Sequence, residues 1–361
     1  MTTAKTPINL SSRQEIARLD VSNALGSVEA LAKQIEHAWA DVKNVQVPIK
    51  APIERVVVSG MGGSGLGADV IKALFKDQMQ VPFDFVHSYT LPAYVNKNTL
   101  VILSSYSGTT EEVLVSSKEA EAKDAQIVAI TTGGQLASLA QQKGWPVYII
   151  DPVHNPSGQP RMAIGYSVFG TIGLCSQAGL LSLSDIEVQS VQRVVKQQLA
   201  KSSVEAQTDI NPAKMIAYEM VDRRPILVIA EFLEGIAHVN ANQLNENAKI
   251  FADYKIVPEI NHHLMEGLKF PLSNKDTHVF FFINSQLYLP KNQKRMVITK
   301  KLVEKNGLET TQIDLTAKTK LDQAFEMLAI FGFASFYLSM LEGLDPCPIP
   351  FVEEFKQALQ K

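Results

Sequence analysis

Val56-Val57-Val58-Ser59-Gly60-Met61-Gly62-Gly63-Ser64-Gly65-Leu66-Gly67 decides how the rest of the chain is read. A β-branched run stops abruptly in glycines and a helix-like segment follows, as where a buried parallel strand turns into a helix. Glycines allow a tight turn and let a ligand approach the bare backbone. The helix start then offers unpaired N–H groups and a positive dipole end to an anion, typically a phosphate. What carries that phosphate is the question put to the remaining residues.

Working outward, the chain alternates. Strands are expected at 55–59, 82–87, 99–104, 126–131 and 146–150, with helices at 65–76, 109–122 and 135–143 between them. Such alternation implies right-handed crossovers and a parallel sheet covered on both faces. Upstream, Leu19, Val21, Leu25, Val28, Leu31, Ile35 and Ala38 recur at steps of three or four, predicting one amphipathic helix over 12–45. A proline-rich loop at 151–161 breaks the rhythm, and a small-residue helix follows at 162–182. Residues 186–222 are more polar and read as a helical link. Alternation then resumes with strands at 225–230, 254–258, 278–283 and 309–314, helices at 235–251, 290–305 and 319–342, and a short closing helix at 350–360. The expected fold is α/β with two doubly wound parallel sheets and a helical N-terminal extension. The expected division is 1–50, 51–185, 186–222 (link) and 223–361.

Composition removes several classes of function. A formal charge of −3 with interspersed signs argues against nucleic acid. Two cysteines, Cys175 and Cys347, make a disulfide framework or a four-cysteine zinc site untenable. Met1-Thr2-Thr3-Ala4-Lys5 does not read as a signal peptide. No apolar run reaches the ~20 residues of a membrane helix. A cytoplasmic globular protein without membrane or nucleic-acid partners is the expectation.

Gly60-Met61-Gly62-Gly63-Ser64-Gly65 satisfies G-x-G-x-x-G, which alone fits a dinucleotide or a sugar phosphate. A dinucleotide site also wants an acid at the end of the next strand. Asp84 has the spacing but lies inside Phe83-Asp84-Phe85-Val86, which disfavours that reading. A second turn favours the alternative: Val101-Ile102-Leu103 runs into Ser104-Ser105-Tyr106-Ser107-Gly108-Thr109-Thr110. One hydroxyl would suffice to cap the helix that follows. Here Ser105, Ser107 and Thr110 can each serve phosphate oxygens.

The pair G-M-G-G-S-G and S-Y-S-G-T-T resembles the sugar-isomerase domain family, which grips phosphosugars without a cationic clamp. Gln159-Pro160-Arg161-Met162-Ala163-Ile164-Gly165, Gln243-Leu244-Asn245-Glu246-Asn247-Ala248-Lys249, Pro258-Glu259-Ile260-Asn261-His262-His263 and Leu344-Asp345-Pro346 follow in that order. Together, from about residue 55 onward, they resemble the bifunctional phosphoglucose/phosphomannose isomerase family. The resemblance implies two sugar-isomerase, flavodoxin-like domains in one chain. His263 departs from it, where a smaller polar residue is expected, and so does Cys347, where a hydroxyl residue near the sugar is expected.

The resemblance implies isomerisation of glucose 6-phosphate, and of mannose 6-phosphate, with fructose 6-phosphate through a cis-enediolate. No redox step occurs, so no cofactor is expected. Glu246 would be the base, with His262 and Lys356 assisting ring opening and Arg161 stabilising the enediolate oxygen. Gly63, Ser64, Ser105, Ser107 and Thr110 would hold the phosphate. The histidines show neither H-x-H nor H-E-x-x-H spacing, so no metal site is expected. A homodimer with shared active sites is implied as well. The rival reading is a non-catalytic sugar-phosphate sensor of the same fold, in which Glu246 and Arg161 would have no purpose.

Overall fold

A computed structural model describes residues 8–359, so the Met1–Lys5 stretch lies outside the described residues. The single N-terminal helix expected over 12–45 is instead three: α1 (Arg13–Leu19), α2 (Ala24–Glu29) and α3 (Leu31–Val42). The break before α2 has a physical cause. Asp20 is buried, and its two carboxylate oxygens accept from Ala24 N and Leu25 N at 2.7 and 2.8 Å. Asn23, at φ 57°, accepts from Gly26 N and starts the new helix. Val21, assigned to the buried stripe by spacing, is 79% exposed in this turn.

The first lobe follows the expected alternation: β1 (Arg55–Gly60), α4 (Gly62–Leu74), β2 (Phe83–Val86), β3 (Thr99–Ser104), α5 (Glu111–Ala122), β4 (Gln126–Thr131), α6 (Gly134–Lys143) and β5 (Val147–Ile149). The strands are parallel in the order β2-β1-β3-β4-β5. Val56, Val57 and Val58 in β1 are fully buried, which explains an uninterrupted apolar strand rather than an alternating one. Asp84 pairs beside Val57 in the middle of β2 and bonds the Tyr94 hydroxyl, well short of the strand's carboxyl end.

Three helices connect the lobes: α7 (Ile164–Gln177), α8 (Asp185–Lys201) and α9 (Pro212–Met220). The expected helical link thus contains two helices, and Val188, Val191, Val195, Ala213, Ile216, Ala217 and Met220 are buried. The second lobe is β6 (Arg224–Ala230), α10 (Glu234–Asn247), β7 (Asp253–Val257), α11 (Ile260–Gly267), α12 (Asn274–Thr277), β8 (His278–Ser285), α13 (Pro290–Lys305), β9 (Glu309–Leu315) and α14 (Lys320–Leu341). The helix α15 (Pro350–Leu359) follows it. Its sheet is parallel in the order β7-β6-β8-β9, which repeats the first four positions of the other sheet.

The lobes meet through α4 and α10, which pack so closely that a side chain at Gly235 would sit 2.4 Å from the backbone of Asp69. Against them runs α14. By length and composition α14 is apolar enough to cross a membrane, against the expectation that no apolar run is that long, but 94% of its apolar window is buried inside the fold. Burying a large apolar side chain contributes about 1.5–3 kcal/mol, so Phe325, Phe331, Phe333 and Phe336 make this helix a principal anchor between lobes.

Candidate active site

Five segments converge at one place: the start of α4, the hydroxyl-rich loop after β3, the turn Pro160–Met162, the end of α10, and the loop 345–347. Gly63 is required by this convergence. A Cβ there would lie 2.7 Å from Arg161 N and 2.8 Å from Pro160 C, so only glycine lets α4 press against the turn that carries Arg161.

Arg161 is 1% exposed, and its position is set from every side. Its Nε donates to Asn247 Oδ1 at 2.7 Å. Its Nη1 donates to Gln159 Oε1 at 2.8 Å and to Glu246 Oε2 at 3.1 Å. Its Nη2 donates to the carbonyls of Pro346 at 2.8 Å and Cys347 at 2.9 Å. All five guanidinium N–H groups are therefore engaged. Burial lowers its pKa from the ordinary arginine range, and the Glu246 carboxylate beside it opposes that shift. The backbone carbonyl of Arg161 accepts from Gln243 Nε2 on α10 at 2.9 Å, tying the turn and the helix a second time.

Glu246 sits at the end of α10 with its side chain 31% exposed. Oε2 is held by Arg161, whereas Oε1 has no hydrogen-bond partner among the described residues. One carboxylate oxygen is oriented and the other is free, as a base needs.

The hydroxyl loop does not spend its side chains on capping. The N-cap of α5 is Thr110, and it makes no side-chain capping bond. Its Oγ1 pairs with Ser105 Oγ at 2.7 Å, and Ser107 Oγ pairs with Thr109 Oγ1 at 3.0 Å. Ser64 Oγ accepts from Tyr106 N at 2.8 Å and joins the first glycine turn to this loop. Gly108, at φ +68°, cannot be replaced, because a Cβ would meet the Gly133 carbonyl at 1.9 Å. The first N–H groups of α5 have no intrahelical acceptors, and this hydroxyl loop leads directly into them. Gly63, Ser64, Ser105, Ser107 and Thr110 are thereby gathered at the mouth of the first sheet.

His262 and Lys356 are placed differently. Both are exposed, on α11 and α15, and neither side chain makes a hydrogen bond or ion pair among the described residues. Within one chain they are not tied to Glu246 or Arg161. His263 lies 4.0 Å from Glu259, the residue before that helix.

Several residues that shape the site stand in the sequence motifs without an assigned role there. Gln159, Asn247 and the carbonyls of Pro346 and Cys347 all accept from the Arg161 guanidinium. Lys249 donates to four carbonyls around the same loop. Cys347 is 3% exposed and burial pushes its thiol up. Asp20, Asp345 and Cys347 place ligand atoms within 4.8 Å of one another, as a metal would need. Arg161 and Lys249 adjoin that group, and two fixed cations oppose a third charge of the same sign.

Residues 51–164 match the SIS domain family, and residues 209–359 match the bacterial phospho-glucose isomerase C-terminal SIS domain. The chain is 33% identical to a bifunctional phosphoglucose/phosphomannose isomerase of Caldicellulosiruptor bescii, over 92% of this chain and 98% of that one. It is 29% identical to the enzyme of the same name from Aquifex aeolicus, over 92% and 97%. Among solved structures it is similar in fold to the tagatose-6-phosphate ketose/aldose isomerase of Escherichia coli, with TM-score 0.67 at 14% identity over 96% of this chain and 98% of that one.

Proposed function

The chain belongs to the bifunctional phosphoglucose/phosphomannose isomerase family, and from that premise we propose how its residues interconvert glucose 6-phosphate and mannose 6-phosphate with fructose 6-phosphate. It is an aldose–ketose isomerase. The observation that carries the mechanism is Glu246, with Oε2 held by Arg161 and Oε1 free.

The phosphate is held by the Ser105, Ser107 and Thr110 hydroxyls with the amides at the start of α5, and Gly63 and Ser64 close the cradle from the α4 side. His262 and Lys356 open the sugar ring by proton exchange at the ring oxygen and the anomeric hydroxyl. Glu246 Oε1 then takes the proton from C2 of the aldose. Electrons move to form the C1–C2 double bond of a cis-enediolate as the C1 carbonyl bond opens onto O1. The O2 hydroxyl proton passes to O1, and the same carboxylate returns the carbon-bound proton to C1, leaving the carbonyl at C2. Arg161 keeps Glu246 in place and stands as a fixed positive charge near the developing negative oxygen. A direct bond to that oxygen requires Nη1 to exchange Gln159 or Glu246 for it. A sensor without catalysis would leave the oriented Glu246 carboxylate without a role.

His262 and Lys356 reach a site best if the chain pairs with a second copy that brings one of them across. Supporting this, every residue of α15 is exposed, and Phe351, Val352, Phe355 and Leu359 form one apolar face on it. Mixing Glu246→Gln with His262→Ala subunits tests the sharing. Random heterodimers regain one working site when base and histidine come from different chains. No recovery after verified subunit exchange would remove the shared site. The chemistry is read by assaying each phosphosugar in D₂O with chelator present. Deuterium at C2 of the aldose is expected, and activity that needs added zinc would end the proposed mechanism.

A further inference from the structure

At the end of α10 the residue after the helix cap is Lys249, at φ +54°. This is where helices usually place glycine, since a side chain in the left-handed region costs about 1–2 kcal/mol. A residue kept there against that cost points to work done by its side chain. The Lys249 ammonium reaches four carbonyls. Two belong to α10, Glu246 at 2.9 Å and Asn247 at 3.2 Å. Two belong to the loop before α15, Asp345 at 3.1 Å and Pro346 at 2.9 Å. The Pro346 carbonyl also accepts from Arg161 Nη2 at 2.8 Å. One oxygen thus joins both cations, and Glu246 lies between them, bound through its side chain to Arg161 and through its carbonyl to Lys249.

We infer that Lys249 is a positioning residue for the isomerisation: its ammonium clips the end of α10 to the 345–347 loop and so holds both Glu246 and the acceptors of Arg161. The inference rests on the isomerase reading of Glu246. A cation at a helix C-terminus is favoured by the dipole, and three ammonium protons shared among four carbonyls require the charged form. The groups facing it are Arg161 from the 160–162 turn, Glu246 from α10, and Asp345 and Cys347 from the loop, with Asp20 behind them. Burial, with Arg161 nearby, brings the Lys249 pKa down to about 8. A neutral amine has one proton fewer and no charge, so the clip slackens as pH rises through that value.

The test compares wild type, Lys249→Met and Lys249→Arg on fructose 6-phosphate. In Lys249→Met, kcat falls roughly 10- to 100-fold, the scale of a misplaced reacting group, while KM moves less than about threefold because the phosphate cradle lies on other segments. Lys249→Arg recovers most of the loss and carries the alkaline limb of kcat to higher pH. Amide exchange across 344–349, followed by mass spectrometry, quickens in the Met variant. Substrate protection against thermal unfolding shows that each variant is folded. The inference is overturned if Lys249→Met keeps kcat within about twofold of wild type, or if KM takes up the loss. Should wild type itself lack isomerase activity, the functional reading fails, and the exchange measurement still decides the clip: unchanged exchange across 344–349 rejects it.

Discussion

The two lobes turn from their first strand into their first helix in the same way, and they differ in what stands at the turn. In the first lobe it is Gly62 at φ +48°, where a side chain would meet nothing within 4 Å. In the second it is Glu231 at φ +51°. Because the sheets share strand order, β8 is the counterpart of β3, and the start of α13 is the counterpart of the hydroxyl loop before α5. Glu231 Oε1 accepts there from Leu289 N and Asn292 Nδ2, both at 2.8 Å. In the proposed mechanism the first lobe's turn is left open for an outside phosphate, whereas the second lobe fills the equivalent place with a carboxylate of the chain. Repeating a fold therefore does not repeat its site. The second lobe contributes a different part, the Glu246 carboxylate at the far end of α10.

If the labour is divided in that way, the two lobes fail differently when altered. The largest effect is expected from the second. Glu246→Gln keeps the side chain's shape and its contact with Arg161 but cannot take a proton, so kcat should fall by the ~10²–10⁴-fold that a positioned base contributes, or further. Fructose 6-phosphate should still protect the variant against thermal unfolding, since the proposed phosphate grip is on the first lobe. Retention of more than about a tenth of wild-type kcat removes Glu246 as the base.

A smaller effect is expected from the first lobe. Ser107→Ala deletes an exposed hydroxyl that bonds only within its own loop, so the fold should be unmoved. KM should rise several-fold and kcat should also fall, because grip on the remote phosphate helps reach the transition state. Steady-state kinetics on fructose 6-phosphate reads both. Unchanged kinetics would take Ser107 out of the cradle, and a change in kcat alone would place it nearer the reacting carbons.

Much of this was legible in the residues themselves. Strand runs such as Val56-Val57-Val58 announce a parallel sheet because burial on both faces leaves no polar alternation. The glycine and hydroxyl turns stood out because few other needs gather such residues, and the structure joins the two turns through Ser64 and Tyr106. Contacts across long sequence distances were not legible. Arg161 finds Asn247, Pro346 and Cys347 only after both lobes have folded, and its saturation by protein acceptors has no local signal. The break before α2 was missed because spacing counts Val21 as apolar and cannot see that Asp20 and Asn23 cap a new helix. Lys249 read as one letter of a motif, since its left-handed backbone is visible only in the structure.

The finest test of the comparison is at the turn itself and reads stability, not rate. Glu231 stands outside the catalytic segments, so its variants should keep kcat. Replacing it with alanine removes both hydrogen bonds to the start of α13, and leaves a side chain in the left-handed region. Replacing it with glycine removes the same bonds but relieves that strain, about 1–2 kcal/mol for a non-glycine residue, less the extra freedom glycine gains in the unfolded chain, roughly 0.4–1 kcal/mol. Both variants should be less stable than wild type, because each lost bond to a half-buried charged acceptor is worth about 1 kcal/mol or more. Glu231→Gly should nonetheless be at least as stable as Glu231→Ala, exceeding it by up to about 1.6 kcal/mol. The reciprocal change, Gly62→Ala, adds a side chain where nothing obstructs it, so its cost should match the Gly-to-Ala difference at 231 and nothing more. Denaturant unfolding measures all three. Greater stability of Glu231→Ala than of Glu231→Gly would mean that the turn does not impose the left-handed backbone, and the correspondence between Gly62 and Glu231 would be coincidental. Matching differences at the two positions would establish one shared turn, which glycine leaves open in the first lobe and a carboxylate closes in the second.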